Sequence, residues 1–135
     1  MRICDQCFLA QLEEFVSPQE IFREYSYFSS FSDSFVAHAR AYANMAIERF
    51  GLTGRSKVVE VASNDGYLLQ HFVERGIPVL GIEPALNVAA VAREKGIPTI
   101  TEFLGSATGA AIRESEGPAG LGAGNNALAL WAMAG

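Results

Sequence analysis

The chain predicts an α/β fold built on a parallel sheet, and three observations carry that prediction. Short β-rich runs recur at Lys57–Ala62, Pro78–Glu83 and Ile97–Thr101. Helical stretches separate them, one carrying Tyr67, Leu68, Leu69, Phe72 and Val73 and stopping at Gly76, the other Ala85–Lys95 stopping at Gly96. The first run ends in a polar turn, Ser63-Asn64-Asp65-Gly66, that opens the first of these helices. Strand, helix, strand, helix, strand at this spacing requires parallel pairing through right-handed crossovers, the first half of a doubly wound sheet.

The size of the chain agrees with one compact unit. It has 135 residues, 50% of them hydrophobic, with 10 Lys+Arg against 15 Asp+Glu and a net charge of −5. That length suits one domain and can bury a core. The acidic balance argues against nucleic acid as a partner, which needs a concentrated basic face. The apolar stretches are far shorter than a membrane span, and no secretory signal is expected from Met1–Asp5. Two cysteines make no disulfide framework, so a cytoplasmic location is expected.

Composition divides the chain into four stretches: residues 1–16 with both cysteines, a helical and aromatic 17–50, an alternating 55–104, and 105–135 dominated by Gly and Ala. Ser17-Pro18-Gln19-Glu20 reads as a capping box: the serine oxygen accepts from a first-turn amide, proline suits the first helical position, and the glutamate reaches back. A short helix to about Tyr25 follows. Tyr25–Ser32 is too rich in serine and aromatics for a regular helix. From Asp33 a longer helix is expected, with Phe35, Ala39, Tyr42, Ala46 and Phe50 as its buried stripe and Gly51 as its stop. Ala119–Gly124 makes a poor fourth strand, with three glycines and little to pack. An edge so weakly covered invites self-association.

In doubly wound sheets, ligands bind beyond the carboxyl ends of the strands, beside the first strand–helix turn. A dinucleotide site there wants three glycines, so that a diphosphate can approach the helix. This turn has Gly66 alone, and Asp65 stands where the diphosphate would sit. Carboxylate against phosphate is the wrong sign. S-adenosylmethionine makes the opposite demand: it carries no phosphate, but a sulfonium, an ammonium and a ribose, which acidic groups suit. Against an acidic-x-Gly-x-Gly-x-Gly template, the chain keeps Glu60 and Gly66, with Ala62 at the first glycine and Asn64 at the second. Asparagine tolerates a left-handed backbone, and alanine is small. Glu83 closes the second strand, placed to hold ribose hydroxyls, and Glu102 and Phe103 follow the third, placed to flank an adenine. A strand-end carboxylate that is merely solvated is the plainer reading of each acidic residue taken singly.

Four segments are similar to one family: Tyr25–Ser32 (YSYFSSFS), Val58–Leu69 (VVEVASNDGYLL), Gly76–Pro84 (GIPVLGIEP) and Gly96–Thr99 (GIPT). They resemble the S-adenosylmethionine-dependent C-methyltransferases that act on nucleotide-linked keto-sugars in deoxysugar biosynthesis. The likeness runs from about Cys4 to about Gly105 and fades through Asn126. It implies a partial Rossmann-like methyltransferase sheet of about four parallel strands over 55–135, a helical substrate-side segment over 17–54, and a remnant of a zinc-binding module over 1–16. It also implies that Ser63, Asn64, Asp65, Gly66 and Glu83 line the cofactor. Tyr25, Tyr27, Ser29 and Ser30 would approach the sugar nucleotide, and Asn125-Asn126 would end the fourth strand at the reaction centre. The implied chemistry is carbon methylation through an enolate.

The chain departs from the family at both ends. Cys4-Asp-Gln-Cys7 is one of the two Cys-x-x-Cys knuckles a structural zinc site needs, so zinc held by this chain alone is not expected. The family's histidine position is Leu130, which cannot move a proton, and His71 is expected on the outer side of its helix. The chain thus reads as a fragment of an enzyme, with no catalytic base identified. A non-catalytic cofactor-binding or interaction remnant is the alternative, and a zinc-knuckle interaction module a third.

Overall fold

The computed structural model describes residues 2–11 and 16–125. A two-rung antiparallel hairpin opens the chain, β1 (Arg2–Ile3) against β2 (Ala10–Gln11). The capping box starts α1 (Pro18–Ile21): Ser17 Oγ accepts from the Glu20 amide at 3.3 Å, and Glu20 Oε2 accepts from the Ser17 amide at 3.4 Å. This helix ends well before Tyr25, because the chain turns there to lay Arg23 and Tyr25 against the start of a later helix.

After one 3-10 turn at Ser29–Phe31 comes α2 (Asp33–Phe50). Ser32 Oγ caps its first turn by accepting from the Phe35 amide, and Gly51 ends it in the left-handed conformation at φ 60°. The buried stripe differs from the expected one. Ala39, Ala43 and Ala46 are buried, whereas Tyr42 and Phe50 are exposed. Alanines let α2 lie close against the next helix, and the bulky aromatics are left at its margins.

The sheet then forms as expected. β3 (Val58–Val61), β4 (Val79–Ile82), β5 (Thr99–Ile100) and β6 (Leu121–Gly124) are all parallel, in the order β5-β4-β3-β6. Between them run α3 (Leu69–Val73), α4 (Leu86–Glu94) and α5 (Ser106–Glu116). Residues 97 and 98, expected in the third strand, lie outside it. α5 falls in the Gly- and Ala-rich stretch for which no helix was expected, and none of its side chains is buried. Lys57 Nζ ties it to the sheet, donating to Glu116 Oε2 at 2.9 Å. β6 does form, pairing along all of β3 from Val58↔Leu121 to Val61↔Gly124.

One apolar core sits between the sheet and the α2–α3 layer, built from Val58, Leu68, Leu69, Phe72, Ile77, Val79 and the α2 alanines. His71 corrects an expectation: it is 3% exposed, not on the outer side of α3. α2 packs against α3, and Arg40 on α2 bonds the carboxylate of Glu74 just past the end of α3 at 3.0 and 3.3 Å. Neither ring nitrogen has a hydrogen-bond partner, and Nδ1 lies 3.5 Å from Glu74 Oε2. No helix among the described residues is long and apolar enough to cross a membrane.

Candidate functional site

The strand order reverses direction at β3: the chain first builds outward through β4 and β5, then returns to add β6 on the other side. Beyond the carboxyl ends of β3 and β6 this leaves the crevice where open α/β sheets bind ligands. The turn Ala62–Gly66 stands there.

Its backbone is unusual. Ala62, Asn64 and Gly66 have φ of 56°, 51° and 76°, so every second residue is left-handed. These are the three positions aligned above with the glycines of an acidic-x-Gly-x-Gly-x-Gly loop. The turn is anchored on β4: the amides of Ala62 and Ser63 both donate to the Ile82 carbonyl, at 2.8 and 3.3 Å. Gly66 has a second reason to be glycine, since a Cβ there would run into Ile97 Cδ1. Gly81 admits the turn from below, because a Cβ on it would stand 2.5 Å from Ser63 Oγ.

Three carboxylates meet at this turn, each in a different state. Glu83 is held between two backbone amides, accepting from Asn64 at 3.0 Å and from Ala85 at 2.9 Å. Burial pushes its pKa above the ordinary carboxylate value, and those two amides pull it back. Each oxygen keeps a second acceptor direction. Asp65 is 1% exposed. Its Oδ2 accepts from the Ser30 amide at 3.2 Å and faces Lys95 Nζ at 3.4 Å, while its Oδ1 is buried without a partner. The Asp65 carboxylate is therefore turned toward the N-terminal segment. Glu60 is fully buried, with neither oxygen in hydrogen-bond geometry. Burial raises its pKa well above the usual range, the nearby Tyr67 hydroxyl relieves this in part, and the Glu83 and Asp65 charges add to it.

Asn64 does more than tolerate its backbone conformation. Its Oδ1 accepts from the Ser29 amide at 3.0 Å and from the Asp65 amide at 2.9 Å, and its Nδ2 donates to the Tyr27 carbonyl at 3.0 Å. The structure thus brings Tyr27, Ser29 and Ser30 onto the turn. Tyr25 sits further along, its amide and carbonyl paired with the Asn87 side chain at 3.0 and 2.8 Å. Asn125 Nδ2 donates to the Tyr67 hydroxyl at 2.9 Å, and the Tyr67 ring stacks on Phe35 with centroids 4.9 Å apart. Burial, then the Glu60 charge, raises the Tyr67 phenol above its ordinary value. Asn126 and Leu130 lie outside the described residues.

Glu102 and Phe103 line a separate open cleft of about 480 Å³ next to Glu83, with Phe22, Arg23, Pro84, Leu86, Thr101 and Thr108. Phe22 meets Phe103 edge to face at 6.1 Å. Four contributors were missed in the sequence. Lys95 at the end of α4 carries the ordinary signature of a helix C-terminus. Tyr67 was counted as apolar. Phe22 and Arg23 come from a segment with no periodic signal.

Cys4 and Cys7 are free thiols in the β1–β2 turn. The Cys7 and Gln6 backbone amides and the Cys7 side chain hold the Cys4 thiol below its ordinary value. Such a pair supplies two of the four ligands of a structural zinc site. No group of three or more His, Cys, Asp or Glu gathers at a metal-binding distance among the described residues.

Fold and crevice together define the ligand-binding end of a Rossmann-like α/β domain, with carboxylates where a dinucleotide site needs glycine and positive charge. A C-methyltransferase, NovU of Streptomyces niveus, is 35% identical over 119 residues, which is 88% of this chain and 28% of that protein. The chain is similar to that C-methyltransferase and spans little more than a quarter of its length. No family model matches. Among solved structures, Streptomyces venezuelae DesVI overlaps 51% of this chain and 29% of its own at 21% identity, with a TM-score of 0.41. SAM-bound CalS10, an amino pentose methyltransferase from Micromonospora echinaspora, overlaps 56% and 35% at 23% identity, also with a TM-score of 0.41.

Proposed function

We propose that this chain forms the cofactor half of an S-adenosylmethionine-dependent C-methyltransferase acting in the cytoplasm on a nucleotide-linked keto-deoxysugar. The observation that carries the reading is the turn itself: left-handed backbone at Ala62, Asn64 and Gly66, set between the buried carboxyls of Glu60 and Glu83. Alternate left-handed residues keep the turn tight and leave no Cβ larger than alanine's at positions 62 and 66.

When bound, S-adenosylmethionine supplies an electrophilic methyl group on a sulfonium. The residues of this chain bind and orient. The free acceptor directions of Glu83 suit the ribose hydroxyls, and the cleft at Glu102 and Phe103 suits the adenine. The carboxylates of Glu83 and Asp65 suit a cationic ligand and oppose a diphosphate. On the substrate side we assign Tyr25, Tyr27, Ser29, Ser30 and Asn125, which carry hydroxyls and an amide. Carbon methylation of this kind would need a base for the proton next to the ketone and an enolate carbon oriented toward that methyl. No described residue is assigned as that base. β6 is an edge strand among the described residues, and that edge is where self-association would occur.

The test is ligand binding by the folded chain. Millimolar S-adenosylmethionine or S-adenosylhomocysteine is expected to raise the melting temperature, and NAD is not. Glu83→Ala should abolish the shift. A folded chain that shows no shift with either ligand overturns the reading.

A further inference from the structure

We propose that Lys95 is a positioning residue whose ammonium locks the Tyr27–Ser30 segment onto the Asn64–Asp65 turn, so that ordering of the segment and ligand binding at the turn are coupled. The coupling rests on the cofactor reading above; the lock itself does not.

Lysine at a helix C-terminus ordinarily faces solvent and complements the helix dipole. Lys95 instead directs its ammonium at three oxygens: Ser30 Oγ at 2.7 Å, the Asp65 carbonyl at 2.9 Å and Asp65 Oδ2 at 3.4 Å. An ammonium has three protons to donate, and all three find an acceptor here. Its own side chain is 29% exposed, while that of Asp65 is 2% exposed. Asp65 is thus a nearly dry carboxylate facing one cation, and removing that cation would leave it buried and unpaired.

Away from the turn, the segment is held by the Phe28–Phe31 ring stack and by the flanking Tyr25–Asn87 pairing. It holds a single 3-10 turn, and both Tyr25 and Tyr27 are exposed. What fixes its backbone at this point are bonds to the turn: Tyr27 carbonyl from Asn64 Nδ2, Ser29 amide to Asn64 Oδ1, Ser30 amide to Asp65 Oδ2, and Ser30 Oγ from Lys95. The turn therefore faces two ways. Its backbone and Glu83 face the crevice, and its Asn64 and Asp65 side chains hold the segment. A ligand that stiffens the turn stiffens the segment, and by linkage the ordered segment favours the ligand by the same factor.

The experiment compares the full chain with Lys95→Met and Lys95→Arg, reading amide hydrogen exchange at Ser29 and Ser30 and calorimetric binding of S-adenosylhomocysteine. Lys95→Met is expected to lower protection at these two amides about tenfold and ligand affinity about fivefold, with β3 and β4 amides unchanged. Lys95→Arg should restore most of both. Should Lys95→Met not fold, Ser30→Ala removes only the 2.7 Å bond and should show the same pattern more weakly. Unchanged protection at Ser29 and Ser30 overturns the lock. Lost protection with intact affinity overturns the coupling. A parent chain that binds no ligand overturns the functional reading and the coupling together, and the exchange data then report the lock alone.

Discussion

The turn after β3 and the hairpin between β1 and β2 use the same backbone device in opposite surroundings. Ala62 and Asn64 are left-handed in the turn, and Phe8 is left-handed at φ 58° in the hairpin. A non-glycine residue in that region costs about 1–2 kcal/mol. In the turn, neighbours hold the conformation from every side: amides onto Ile82, Glu83 beneath, Asn64 and Asp65 reaching across. In the hairpin, Phe8 is 79% exposed, and local support comes from its amide on the Cys4 carbonyl and the Cys4 amide on Leu9. Strain held by tertiary contacts marks a site that the fold has shaped. Strain held only by a hairpin's own few bonds marks a piece whose conformation the sheet does not enforce.

The sharpest way to break the contrast is at Gly66. Alanine there meets both an unfavourable φ of 76° and the Ile97 side chain. Gly66→Ala should lose about 2–4 kcal/mol, the sum of left-handed strain and overpacking, read as a lower denaturant midpoint. A loss below about 1 kcal/mol would mean that the turn can yield and that its conformation is not enforced.

Asn64 separates strain from bonding. Asn64→Gly keeps the left-handed backbone and removes the bonds to Ser29, Asp65 and Tyr27, at a cost of about 1–2 kcal/mol. Asn64→Ala adds the backbone strain and should cost about 1 kcal/mol more. Equal losses in chemical denaturation would show that the bonds alone carry the turn.

How much could be read from the sequence follows the same divide. The parallel strands were legible because Val58–Val61 and Val79–Ile82 are β-rich, largely apolar runs, the first ending in a polar turn, a local signal. Gly66 and the Ala62 and Asn64 substitutions were legible because spacing along one turn is also local. The orientation of Asp65 was not: it depends on Lys95, thirty positions away, and on Ser30. His71 sat on the presumed outer side of α3 because periodicity cannot show that α2 packs against α3. α5 was hidden by its composition, since Ser106–Glu116 has no apolar stripe and buries nothing.

Glu60 tests the site from its charge. Its folded pKa is raised, so the folded chain binds the proton more readily than the unfolded one, and stability falls as pH rises from the unfolded value through the folded one. Glu60→Gln removes that dependence. It should stabilise the chain at pH 8 by about 1 kcal/mol and by less at pH 5, read as melting temperatures across pH. The same substitution should weaken S-adenosylhomocysteine binding or leave it unimproved, because a carboxyl retained at a cost to stability is one kept for function. Gains in both stability and affinity would argue that Glu60 has no part in the site.

The smallest effect is expected in the hairpin. Asparagine accepts the left-handed region better than phenylalanine, so Phe8→Asn should favour the hairpin by a few tenths of a kcal/mol. Protection of the Cys4 and Phe8 amides should rise about twofold, with the melting temperature of the sheet unmoved. Tertiary contact would change that result, because relief of strain at Phe8 would then appear in the whole chain, as it must for the turn. A matching rise in melting temperature would therefore place the hairpin in the same cooperative unit as the sheet and remove the distinction between the two loops.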